Sequence, residues 1–93
     1  MATTILASGT SSATSSNVTV SAGSVATVGI FATGAIPAGV QCSVTIATPG
    51  DDASVAVLNS INPTTAIAGP GTFRVKRPDV SSYGVSIGAY SEP

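Results

Sequence analysis

The amino-acid sequence predicts an all-β fold, an antiparallel β-sandwich of seven or eight short strands with immunoglobulin-like or small-barrel topology. Three observations point there. Apolar residues alternate with Ser, Thr and Gly at a period of two, the mark of strands buried on one face. Turn signals recur about every 8–12 residues. Helix formers are scarce, and no stretch carries apolar residues at the helical spacing i, i+3, i+4, i+7.

The elements follow in order. Residues 3–7 form a short first strand, and residues 8–16 a Ser/Thr-rich tract of low complexity. Val18 and Val20 alternate with Thr19; Val28, Ile30 and Ala32 share one parity in the next run. The Gly- and Pro-containing stretch 34–39 punctuates the chain as a loop. Val40, Cys42, Val44 and Ile46 then alternate with Gln41, Ser43 and Thr45. Pro49-Gly50-Asp51-Asp52 reads as a turn, because Pro presets φ and Gly tolerates positive φ. Val55 and Val57 open a strand that Asn59 closes, Asn62-Pro63 turns, and residues 65–68 form another short strand. Gly69-Pro70-Gly71 leads into Phe73 and Val75, and Tyr83, Val85, Ile87 and Ala89 share a face in the last strand. Val dominates the expected core, with Phe31 and Phe73 as its large fillers. Without Trp or a Cys pair, the immunoglobulin likeness is one of pattern only.

At 93 residues the chain is one domain, able to bury about 60–65% of its unfolded surface. We divide it into an N-terminal arm, residues 1–16, and a sandwich, residues 17–93. Charged residues make up only 8% of the chain, against about 25% in typical domains. Ser and Thr take their place at roughly a quarter of the chain, and the net charge is −1. Charge repulsion does little to keep such copies apart, so much of the surface is expected to be covered in the working state. The single cysteine excludes an intramolecular disulfide. The first sixteen residues lack the basic and apolar regions of a signal peptide, and no apolar run is long enough to span a membrane. Synthesis in a cytoplasm is the expectation.

The residue inventory argues against catalysis. There is no His, which removes the commonest general base and metal ligand. Asp51 and Asp52 are adjacent, so in extended chain they point apart rather than facing each other across a cleft. Cys42 has the parity of Val40 and Val44 and reads as a small buried hydrophobe. The glycine turns lack phosphate-loop spacing. We therefore expect no enzyme, no catalytic, cofactor or metal residues, and no small-molecule substrate.

All three cations fall within four positions: Arg74, Lys76 and Arg77. With Phe73 and Val75 facing inward, Arg74 and Lys76 stand together on the outer face, and Arg77 ends the strand before Pro78. Three cations without interleaved aromatics do not make a nucleic-acid footprint. They protect an edge strand from aggregation or dock on acidic residues of a partner. Thr3, Thr4, Ile5, Leu6 and Ala7 either pair at home or add to a sheet edge on a neighbouring copy.

The Ser/Thr/Ala-rich start is followed by Val18-Thr19-Val20-Ser21-Ala22-Gly23-Ser24-Val25-Ala26-Thr27-Val28-Gly29-Ile30-Phe31-Ala32. Then come Ile36-Pro37-Ala38-Gly39, Gly69-Pro70-Gly71-Thr72-Phe73-Arg74-Val75 and Gly84-Val85-Ser86-Ile87-Gly88. Over residues 17–90 this texture resembles small single-domain β-sandwich proteins of tailed-bacteriophage structural gene clusters, some of which decorate the capsid as cement proteins. The resemblance implies a structural virion protein on the capsid exterior, a trimer that binds the major capsid protein and clamps neighbouring subunits. The competing reading is an immunoglobulin-like adhesin or carbohydrate-binding module. That reading gains if Tyr90 and a second ring are exposed on one flat face.

Overall fold

A computed structural model describes residues 3–48 and 52–92. These residues form nine strands: β1 (Thr3–Gly9), β2 (Ala13–Thr14), β3 (Val18–Val20), β4 (Val25–Ala32), β5 (Cys42–Ala47), β6 (Asp52–Leu58), β7 (Thr64–Ala68), β8 (Gly71–Arg77) and β9 (Ile87–Glu92). They make two antiparallel sheets, the β-sandwich that the alternation predicts. The first has the order β1-β9-β4-β7, and the second the order β2-β8-β5-β6. Strand β3 also pairs with β8, so β2 and β3 lie in line along one edge of it. Counting that broken edge as one strand, the connectivity is that of an eight-strand jelly roll, two interleaved Greek keys. The strand spacing left an immunoglobulin-like or small-barrel order open; period-two patterning records which face is buried, not which strand is the neighbour.

The core lies between the sheets. Val28, Ile30, Ile67, Ile87 and Ala89 enter it from the first sheet, and Val18, Val20, Cys42, Val44, Leu58, Phe73 and Val75 from the second. Cys42 is fully buried, as its parity predicted. Val40 and Val80 close the core from loops.

Residues 3–16 are built into this sandwich. Ile5 is buried in the core, β1 pairs with β9, and β2 pairs with β8. The Ser15 hydroxyl accepts a hydrogen bond from the Val75 N–H at 2.8 Å, replacing a ladder carbonyl where β2 gives way to β3. The expected boundary at residue 16 thus falls within one continuous sheet edge.

Four side chains sit otherwise than the sequence suggests. Tyr83 was expected inside the last strand. It lies in a 3₁₀ turn, Ser81–Tyr83, and is exposed. Gly84 follows at φ 73°, a left-handed conformation that no strand contains, so β9 begins only at Ile87. Phe31 is an outward-facing residue of β4 rather than a core filler, and its ring lies over Gly88, its cross-strand partner. Tyr90 in turn covers Gly29 opposite it. Each glycine leaves the room that a ring on the neighbouring strand fills, a reciprocal arrangement that shields bare backbone. Finally, Val55 and Val57 on β6 face solvent. The Pro49-Gly50-Asp51 part of the predicted turn lies outside the described residues.

Candidate functional site

Strand β8 carries the cation cluster. Phe73 and Val75 point inward, so Arg74 and Lys76 project from the outer face of the second sheet. The neighbouring strand presents Thr45 opposite Arg74 and Ser43 opposite Lys76. One strand further on, Asp52 opposes Ala47, which places its carboxylate on the same face. Arg74 Nη1 donates to Asp52 Oδ2 at 2.8 Å, and Arg74 Nε donates to Asn17 Oδ1 at 2.7 Å. Lys76 Nζ lies 3.6 Å from the same Asp52 oxygen. The guanidinium thus spans the sheet from β6 to the chain just before β3. Thr45 lies beneath this polar roof and is buried despite its outward parity. Among the described residues, two cations meet one carboxylate here, an excess of one positive charge.

The sequence pointed to the cations but missed Asp52. That residue reads as part of a turn, and it meets Arg74 only because β5 and β6 pair in this register. Asp52→Asn is expected to lower stability by less than about 1 kcal/mol, since partly exposed pairs are weak. Chemical denaturation at low and high salt checks this: the small difference from the parent should shrink as salt screens the patch.

Arg77 belongs elsewhere. It is 6% exposed, and its parity continues that of Phe73 and Val75 into the interior. Nε donates to the Ser11 carbonyl at 2.6 Å; Nη1 donates to the carbonyls of Ala7 at 3.0 Å and Ile87 at 2.7 Å. These carbonyls lie on β1, on the turn after it and on β9, where the β1–β9 ladder slips between Leu6 and Gly9. Arg77 is therefore an internal clasp between the sheets, and the docking strand that the sequence outlined keeps two of its three cations. The parity of Phe73, Val75 and Arg77 was the signal for this, set aside where Arg77 was taken as the end of the strand before Pro78.

The predicted arm residues also have defined places. Thr3 and Thr4 are exposed on β1, Ile5 is buried, Leu6 is half-buried against the core, and Ala7 is exposed while its carbonyl holds Arg77. With Asn17, Val18, Val25 and Glu92, the start of β1 lines an open groove of about 560 Å³. Its walls are mostly hydroxyl-bearing and apolar.

Burial pushes the Cys42 thiol up, against an opposing pull from Arg77, and keeps it protonated and enclosed. Asp79 is held below the usual carboxylate range by the Ser81 N–H and then by the Ser81 hydroxyl, which start the 3₁₀ turn. Among the described residues, no three His, Cys, Asp or Glu side chains gather to hold a metal. Set against known proteins, the chain matches no family model, no curated protein and no solved structure.

Proposed function

We propose that this chain is a structural virion protein, a capsid decoration protein that attaches to the outer shell of a tailed phage and clamps neighbouring capsid subunits. The observation that carries the reading is where the exposed apolar side chains lie. Val55, Val57 and Ile61, three of the five exposed large apolar side chains among the described residues, stand within residues 53–73, a stretch without one charged residue. A surface of that kind gains free energy by being covered. The Arg74–Lys76 patch on the second sheet would steer and orient docking against acidic residues of the shell. Many copies on a repeating lattice would gain further from avidity. Jelly rolls recur in viral capsids and in lectins, so the fold is compatible with the reading without deciding it.

The test uses purified shells and purified protein. We expect co-sedimentation that saturates, and shells that resist heat or dilution better when occupied. Lys76→Glu should lower occupancy severalfold at low salt with the fold intact, as judged by circular dichroism. Undiminished occupancy removes the docking role of the patch, and no co-sedimentation of the parent protein removes the decoration reading.

A specific observation favours the second reading, a carbohydrate-binding or adhesin module. Phe31 and Tyr90 share the outer face of the first sheet, each half-buried over a glycine. Flat rings of that kind stack on the apolar faces of sugars. Binding of soluble glycans that Tyr90→Ala abolishes, together with failure to bind shells, would establish it.

A further inference from the structure

The first sheet has two open edges, β1 and β7. They differ. Along β1 the pairing slips twice, between Thr4 and Leu6 and between Leu6 and Gly9, which breaks up the row of backbone groups that it presents. Strand β7 pairs with β4 in unbroken register from Val25↔Ala68 to Gly29↔Thr64. Its sequence, Thr64-Thr65-Ala66-Ile67-Ala68, contains no charge, no Pro and no bulge, the devices that keep sheet edges apart.

The ladder shows which backbone groups are available. Just beyond the strand ends, Ile30 N–H donates to the Pro63 carbonyl at 2.9 Å and Gly69 N–H donates to the Ser24 carbonyl at 3.0 Å. Hydrogen-bonded and non-hydrogen-bonded pairs alternate along an antiparallel ladder. Counting inward from both ends, Thr65 and Ile67 direct their N–H and C=O groups toward β4. Thr64, Ala66 and Ala68 direct theirs away from it, toward the open edge.

Beside this edge, between β7 and β6, lies a cleft of about 290 Å³ lined by Ile46, Val55, Ala56, Ile67 and Phe73 among others, none of them charged. The exposed Val25 flanks the same edge opposite Ala68.

We infer that this edge is a self-association surface: β7 pairs antiparallel with β7 of a second copy about a twofold axis at Ala66. Charge selects the occupant. Nothing from residue 53 to residue 73 is ionisable, so an acidic or basic partner gains nothing there, and a copy meets itself without repulsion. Geometry selects the register. Pairing Ala66 with Ala66, and Thr64 with Ala68 on either side, matches every outward-facing backbone donor with an acceptor, in roughly six hydrogen bonds. The first sheet becomes continuous across the two copies, and the added strand roofs the apolar cleft. The contact is isologous and closes at two copies. It differs from the trimer that the phage resemblance implies, and it goes beyond the shell-binding reading because free protein suffices to test it.

Sedimentation equilibrium of the free protein should show a concentration-dependent monomer–dimer equilibrium, with dimers prominent at concentrations on the order of 100 µM. Ala66→Lys sets like charges face to face across the axis and should raise the dissociation constant by about tenfold or more, with partial recovery at high salt. Ala66→Pro removes one outward donor while leaving the β4 ladder intact, and should give a folded monomer. If one variant fails to fold, the other still decides. A parent protein that stays monomeric at those concentrations, or a dimer or trimer that both folded variants leave unchanged, overturns the inference. Shell binding by such a monomer leaves the decoration reading standing; dimers that ignore shells leave the inference standing.

Discussion

Arg77→Met is expected to cost about 3–5 kcal/mol of unfolding free energy, the scale of breaking a buried charged network. A 93-residue domain has roughly 5–14 kcal/mol to lose, so the variant stands near the edge of folding. Replacing buried charge with an apolar side chain often proves neutral, but only when the polar partners are removed as well. Here the partners are the carbonyls of Ala7, Ser11 and Ile87, and backbone cannot be deleted. Methionine fills the volume and leaves all three without their donor. Arg77→Lys should recover only part of the loss, because an ammonium is a point donor and these carbonyls are met by a planar fork. Chemical denaturation measures the loss. Hydrogen exchange should show β1 opening first, since the clasp holds its end. A change below about 1 kcal/mol for methionine would mean that the clasp is not holding the sheets together.

Leu58→Ala should cost about 3–4 kcal/mol, within the range for leucines truncated in tight cores. Leu58 is fully buried and pairs with the equally buried Cys42. It ends a strand whose other residues are mostly exposed, so it anchors β6 to the core almost alone. Truncation therefore opens a cavity and loosens an edge strand together. The neighbouring Val57→Ala supplies the contrast. Val57 is 44% exposed, and its truncation should change stability by no more than about 0.5 kcal/mol. A strand shifted by one residue would exchange the two results, so the pair of measurements also tests the register.

That register shows where pattern reading ends. On β5 and in the loop before it, strict alternation marks Val40, Cys42 and Val44 as interior, and they are. On β6 the alternating valines mark the outer face instead, because Val57 pairs with the outward Ser43 while Ala56 and Leu58 pair with the buried Val44 and Cys42. The cation cluster was legible as one run of residues, but its division was not. Arg74 and Lys76 face solvent and Arg77 faces the core, and the parity that separates them was readable. The three carbonyls that make the burial tolerable come from residues at least ten positions away in the chain. Asp52 was visible as a residue and invisible as a partner, for the same reason of distance along the chain.

Local chemistry settled the strand content and the turns. Period two, β-branched side chains, Gly and Pro act over a few neighbouring residues, so a linear reading recovers most of them, though not the 3₁₀ turn at Ser81–Tyr83. Asn59, whose side chain accepts from the N–H groups of Ile61 and Asn62, closes β6 where its type suggested. Packing in three dimensions settled the jelly-roll order, the home pairing of β1, the clasp at Arg77 and the uncharged open edge at β7. Each depends on which distant strand lies alongside, and backbone hydrogen bonds carry no label of side-chain identity. Only the simultaneous closing of one core, with its buried carbonyls all answered, selects among the possible neighbours.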